Sequence, residues 1–343
     1  MIFRRCLHYL CSELSAVMMF LLLVLMVNCS EQVAESEQTA SSSTFLEEVN
    51  TAIRDNPEDP ENYVRRAEYH RDSANYGDAI IDMAQAMKLD SVNERYHHLL
   101  ADIYLQSAKS QYAIGTLERA AMLFPDSIRT LLKLAELQLV VKQYDKASAS
   151  LRKALTLEPQ NTRALHLLGV MYQEQGNLTR AIQTYQTIVE LDSEDAEAWT
   201  MLGNLFDMQN DPAALQCFEN AIEIDPQYPQ GWHSKAFYLQ NHGDIPEAIR
   251  IYRHIHEIDS SYTDAWLNQG ILYLEMDSLS AASQSFEQMI LQDSTSAVGY
   301  YYAGITAQRS GDKALARSYF NRALTLEPTS KRIQESLESL REQ

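Results

Sequence analysis

A register of 34 residues runs through this chain and leaves few architectures open. Bulky residues recur at Tyr63, His97, Leu131, Leu165, Trp199, Trp232, Trp266 and Tyr300, at intervals of 34, 34, 34, 34, 33, 34 and 34 residues. Four residues after each stands a small one: Ala67, Ala101, Ala135, Gly169, Gly203, Ala236, Gly270 and Gly304. An alanine series follows at Ala79, Ala113, Ala147, Ala181, Ala214, Ala248, Ala282 and Ala316. A third position is bulky again: Met83, Leu117, Leu151, Tyr185, Phe218, Tyr252, Phe286 and Phe320. Seven of the eight units close on an acidic residue followed by Pro or Ser, as at Glu158-Pro159 and Asp192-Ser193. A spacing of four puts the first bulky residue and the small one on one face of a helix. The small side chain lets a partner helix approach closely. No segment shows the alternation a strand needs. Neither helix of such a unit buries its apolar stripe alone, so the units must stack into one elongated core.

This pattern resembles the tetratricopeptide repeat. Residues 297–330 (AVGYYYAGITAQRSGDKALARSYFNRALTLEPTS) match it nearly throughout, and the eight units span 60–330. The resemblance implies an all-α fold, a right-handed superhelical solenoid of helix-turn-helix repeats. The polar turns agree with it. At Gly176-Asn177, Gly243-Asp244 and Gly311-Asp312 a glycine can close the first helix and Asn or Asp can cap the second. The single 33-residue interval is assigned to Asn210-Asp211-Pro212, as a first-to-second-helix turn one residue short with Pro212 opening the second helix. Residues 45–58 are read as an N-terminal capping helix and 331–343 as a C-terminal one, since terminal units need a polar outer face.

The first thirty residues are a separate object. Arg4 and Arg5 precede an uncharged run, AVMMFLLLVLMV over 16–27, which ends beside Cys29. A bilayer crossing needs about twenty apolar residues, so this run suits the core of an export signal. Residues 1–28 resemble a bacterial lipoprotein signal, with Asn28 where a small residue is usual before the cysteine. The resemblance implies lipidation of Cys29, attachment to the membrane through that lipid, and a place in the bacterial cell envelope facing the periplasm or the cell surface. Residues 29–44 are polar and Ser-rich and read as a flexible tether.

Composition bounds the function. Of 343 residues 47 are acidic and 28 basic, a net charge of −19. Residues 1–28 hold two basic residues and one acidic, so the remainder carries −20 and disfavours nucleic acid as a partner. Four cysteines exclude a disulfide scaffold and a cysteine-ligated zinc site. There is no HExxH, GxSxG or P-loop, and the repeats leave no room for a further domain. These features predict a protein that is not an enzyme and needs no cofactor or metal. Asp192, Asp225, Asp259 and Asp293 stand at unit ends, where an acidic side chain serves a turn rather than a paired-carboxylate site.

The family resemblance implies that positions 2, 5, 9, 12 and 13 of each first helix face the inner groove. Carried onto this sequence, they select Arg95, His98, Arg129, Leu132, Arg163 and His166 in the earlier units. In the later units they select Phe237, Leu267, Ile271, Leu274, Tyr301 and Ile305, which would form an apolar strip for a peptide or a partner helix. The basic residues that some members use to hold a terminal carboxylate are replaced here, by Val64 and Glu68 or by Leu132 and Glu136. The function expected is a protein-binding scaffold. Self-association through the strip and an accessory role beside an envelope hydrolase or glycan-processing enzyme are the alternatives.

Overall fold

The computed structural model describes residues 44–342, and every regular element among them is a helix. The apolar run, Cys29 and the tether up to residue 43 lie outside the described residues. The chain divides between Lys153 and Ala154 into two compact units. The first begins with α1 (44–55) and continues with α2 (Pro60–Asp72), α3 (Tyr76–Leu89), α4 (Glu94–Gln106), α5 (Ser110–Leu123) and α6 (Ile128–Val140). The division falls inside α7 (Tyr144–Leu157). The second unit then holds α8 (Thr162–Glu174), α9 (Leu178–Leu191), α10 (Ala196–Met208), α11 (Ala213–Ile224), α12 (Pro229–Asn241) and α13 (Ile245–Ile258). It ends with α14 (Thr263–Glu275), α15 (Leu279–Gln292), α16 (Ala297–Arg309), α17 (Lys313–Leu326) and α18 (Lys331–Glu342).

In each unit a helix packs on its successor. In the first, α2 lies on α3, α3 on α4, α4 on α5 and α5 on α6. In the second the same succession runs from α8 to α18, and α10 also touches α12 as α14 touches α16. In the second unit the first helices α10 and α12, and α14 and α16, thus stand beside each other. Phe45 of α1 stacks on Tyr69 at 5.6 Å, and Val49 is fully buried. Ile333 and Leu340 of α18 are buried against Phe320 and Ala323.

Local chemistry sets the helix ends. Ser127, Asn161, Asp195 and Ser296 each accept a hydrogen bond from the backbone N–H three residues on, which satisfies a donor the helix leaves free. At the close of the second helices the acidic residues make Asx turns: Asp192, Asp225, Asp259 and Asp293 accept from the N–H two residues later at 2.9–3.0 Å. Hydrogen bonds from Ser261 and Thr295 hold the Asp259 and Asp293 carboxyls below the usual carboxylate range.

Every turn from a first to a second helix passes through one left-handed residue. Gly176, Gly243 and Gly311 take it without cost, but Ala74, Ala108, Lys142, Asn210 and Asp277 take it too, at φ 56–58°. An L-residue other than Asn or Asp loses about 1 kcal/mol there. Lys142 sits in this conformation while its N–H reaches Leu139 O at 2.8 Å. Lys142→Gly therefore raises the urea midpoint, by about 0.5–1 kcal/mol of stability, even though glycine gains more freedom in the unfolded chain. A lowered midpoint would refute the strain.

The short repeat departs from the sequence reading. The cap closing α10 is complete: Asp211 N bonds to Phe206 O at 2.9 Å, as Asn75 N bonds to His70 O at 2.7 Å in the first repeat. The residue is missing one step later, from the opening turn of the second helix. There Ala214 N reaches Asp211 O, three residues back, at 3.1 Å, where Ala79 N reaches Asn75 O, four back. Pro212 is the N-cap of α11 and not its first helical residue, and α11 is 12 residues long where α9 has 14. Proline has no N–H, so the tightened turn leaves no donor stranded at that residue.

The small residues of the register explain the approach of paired helices. In the second unit a Cβ placed on Gly169 would stand 2.6 Å from Tyr185, and one on Gly203 2.5 Å from Phe218. Gly270 meets Phe286 at 2.5 Å and Gly304 meets Phe320 at 2.6 Å in the same way. Each ring occupies the space the absent side chain leaves. Where the small residue is alanine in the first unit, its counterpart is Met83, Leu117 or Leu151, all fully buried. Ala236 with Tyr252 is the exception in the second unit.

Candidate functional site

The groove positions fall on the first-helix layer of each unit, and the structure sorts them by what they touch. In the first unit Arg95 on α4 is not available as a cation, because its guanidinium pairs with Glu61 of α2. Tyr96 donates its hydroxyl to the same carboxylate at 2.7 Å. Burial opposes the charge on Glu61, but Tyr96 and Arg95 outweigh it and hold the carboxyl below its usual range. Burial first, and then the Glu61 carboxylate, push the Tyr96 phenol up to about 12.

His98 is buried, 3% exposed, and its Nε2 lies 2.7 Å from Thr130 Oγ1. Thr130 gives its own proton to Glu94 Oε1 at 2.6 Å, so His98 is the donor to Thr130. Ser127 also bonds to Glu94 and, as the larger influence, lowers its carboxyl together with Thr130. His98 therefore ties α4 to α6 and does not reach solvent. Arg129 remains exposed at the start of α6, and Leu132 is half-buried.

In the second unit Arg163 is exposed at the start of α8. His166 is half-buried, and its Nε2 lies 2.7 Å from Asp195 Oδ2. The other Asp195 oxygen accepts from Ala198 N at 2.8 Å. His166 thus braces the cap of α10 from α8. The apolar strip is assembled more fully. Leu267 and Ile271 of α14 and Ile305 of α16 are half-buried around Leu274, which is itself buried at 7% exposure. Tyr301 lies under the Arg332 guanidinium, 4.0 Å from its ring centroid. Phe237 of α12 stands out, 43% exposed beside His233. Of the strip positions, Phe237 is exposed, Leu267, Ile271, Tyr301 and Ile305 are partly buried, and Leu274 belongs to the core.

Three cross-helix contacts on this face have no sequence signal. Asn268 lies 2.9 Å from His233 and joins α12 to α14. Arg309 donates to Leu274 O at 2.8 Å and to Asp277 at 2.8 Å, closing α14 onto α16. Arg332 reaches Tyr301 from a helix legible only as polar. Hydrogen-bond partners across helices follow no local periodicity, so only the packing reveals them.

Burial disfavours the charged form of several histidines. Burial pushes His97, His98 and His233 down, and His256 down to about 4. His256 stacks flat on Trp266, and its Nε2 lies 3.3 Å from Gln269 Oε1. A folded-state value below the unfolded one, about 6.5, means the unfolded chain binds more protons between the two. Stability is then full above pH about 6.5 and falls as the pH drops toward 4. Melting temperatures taken at pH 7, 6 and 5 should decline, and His256→Gln should flatten that slope. An unchanged slope in the variant would remove His256 as a cause.

Among the described residues no group of His, Cys, Asp or Glu is arranged to hold a metal ion, and no helix is long and apolar enough to cross a membrane. Cys217 is buried and free, with its thiol pushed up to about 11 by burial. A model described as the cytochrome c-type biogenesis protein H TPR domain matches residues 83–194. Tetratricopeptide-repeat models match 172–229, 217–250 and 298–330. This is the tetratricopeptide-repeat fold. Human tetratricopeptide repeat protein 7A is 29% identical over 144 residues, 42% of this chain and 17% of that protein. The chain spans about a sixth of the length of such curated relatives. A tetratricopeptide repeat protein from Parabacteroides merdae ATCC 43184 superposes with a TM-score of 0.55 at 20% identity, over 72% of this chain and 98% of its own. Yeast Tom70 superposes with a TM-score of 0.61 at 16% identity, over 82% and 60% of the respective chains. The described residues thus form a TPR solenoid of stacked helix pairs.

Proposed function

We propose that this TPR protein binds a peptide or helix of a partner protein on the first-helix face of its second unit, and that a lipid on Cys29 holds it at a bacterial cell envelope. The observation that carries the binding reading is the set of apolar side chains left exposed or only partly buried at groove positions: Phe237, Leu267, Ile271, Tyr301 and Ile305. Such side chains on one face of a helix layer gain most by burial under a partner. The anchor rests on the apolar run over 16–27 ending beside Cys29.

Affinity capture from the native envelope, with the wild type and with Leu267→Asp/Ile271→Asp, tests the binding face. Loss of specific partners from the variant, with circular dichroism showing it folded, is the expected result. Identical partner sets would refute the face. For the anchor, Cys29→Ser should lose the mass of the lipid and move from the membrane to the soluble fraction. Unchanged mass and location would rule out lipidation there.

A further inference from the structure

The charge of the chain is not evenly spread. Residues 44–153 hold 17 acidic and 14 basic residues, whereas 154–343 hold 26 and 12. Between Arg180 and Arg250 twelve acidic residues are met by one basic residue, Lys235. Lys235 is already engaged, 3.1 Å from Glu219 on the neighbouring α11. The first helices α10 and α14 contain no Lys or Arg at all.

Carboxylates flank the apolar strip on this stretch. Glu197 and Asp264 stand exposed at the starts of α10 and α14, and Glu275 at the end of α14. Asp207, near the end of α10, has only the edge of His242 at 4.0 Å. Toward α16 the acidic excess ends: Arg309 closes on Asp277 and Arg332 covers Tyr301. The face is thus acidic from α10 to α14, and at α16 its Arg309 is already neutralised by Asp277, with apolar side chains along the middle. Phe237, Ile271 and Ile305 occupy one register position in three successive first helices. Such helices pack about 10 Å apart, so the row spans about 20 Å, the length of about 13 residues of α-helix.

We infer that this face takes a cationic amphipathic helix of a partner protein, its apolar stripe on Phe237, Ile271 and Ile305 and its Lys or Arg residues against Glu197, Asp207, Asp264 and Glu275. The inference rests on the binding face proposed above and adds the chemistry of the occupant. Charge complementarity selects it. An acidic helix would meet these four carboxylates without a cation to offset them, and a neutral one would leave them desolvated and unpaired at the rim.

The test uses the full chain and two 14-residue helical probe peptides with the same leucine stripe, one carrying lysines and one glutamates. Fluorescence anisotropy should show the lysine peptide binding at least tenfold more tightly, and more weakly as salt rises from 50 to 300 mM. Asp264→Lys/Glu275→Lys should lower that affinity at least tenfold. The equal charge change at Glu190→Lys/Glu223→Lys, on second helices, should alter it less than threefold. Phe237→Ala should weaken binding of the lysine peptide severalfold at every salt concentration. Equal effects of the two double substitutions would mean that overall charge alone attracts the peptide, and would overturn the inference. Preference for the glutamate peptide with sensitivity to Phe237→Ala would overturn the cationic occupant while leaving the binding face standing. Binding of neither peptide, with all variants folded, would overturn the inference as well.

Discussion

Gly270→Ala lowers the stability of the second unit by about 1–3 kcal/mol, although alanine is the better helix former by about 1 kcal/mol. The added methyl would stand 2.5 Å from Phe286 Cε1, and the ring is fully buried and cannot swing aside. Helix α14 must then move off α15, or the ring must leave its rotamer. Phe286→Leu alone also destabilises, because it leaves a cavity beneath the glycine. The double variant Gly270→Ala/Phe286→Leu should recover most of the loss, since it recreates the Ala101 with Leu117 pair of the first unit. Urea unfolding of the two single variants and the double variant gives a coupling energy of about 1–2 kcal/mol. Additive effects would show that the ring and the glycine do not share one space.

Asp82→Ala removes about 2–3 kcal/mol from the first unit. Asp82 is 3% exposed, and both its oxygens bind Arg66, at 2.8 Å from Nε and 2.6 Å from Nη2. The third guanidinium nitrogen donates to Asn50 of α1 at 2.7 Å. This ion pair joins α1, α2 and α3 at the N-terminal end of the solenoid. Removing Asp82 leaves the guanidinium its bond to Asn50 and a weaker attraction to Asp78 in place of a bidentate carboxylate. The Arg66 side chain keeps 25% exposure, so water screens part of the penalty and the figure stays below that of a sealed pair. Asp82→Leu/Arg66→Met, which removes both charges, should be closer to wild type than either charge deleted alone. A double variant as unstable as Asp82→Ala would assign the loss to packing.

The first prediction rests on series that the sequence displays, the Asp82–Arg66 pair on none, and in both the partners come from the structure. Gly270 and Phe286 each belong to a 34-residue row, and their rows are visible without coordinates. That the ring lies on that glycine depends on how two helices cross. The same limit applies at the binding face. His98 and Leu274 hold groove positions by register, yet Thr130 binds the first and the core takes the second. Phe237 shares its register with Ile271 but is more exposed.

The short repeat shows the boundary at the level of one residue. Spacing locates the deletion near Asn210-Asp211-Pro212. Only the hydrogen bonds place it in the opening turn of α11, since a closing cap and an opening turn use the same residue types. The sequence by itself determined the helices, their number per repeat and the rows that pack, because these depend on contacts three and four residues apart along one helix. The tertiary structure decided which side chains remain in reach of a partner. Exposure depends on how closely each first helix stands to the next, and no single helix records that distance.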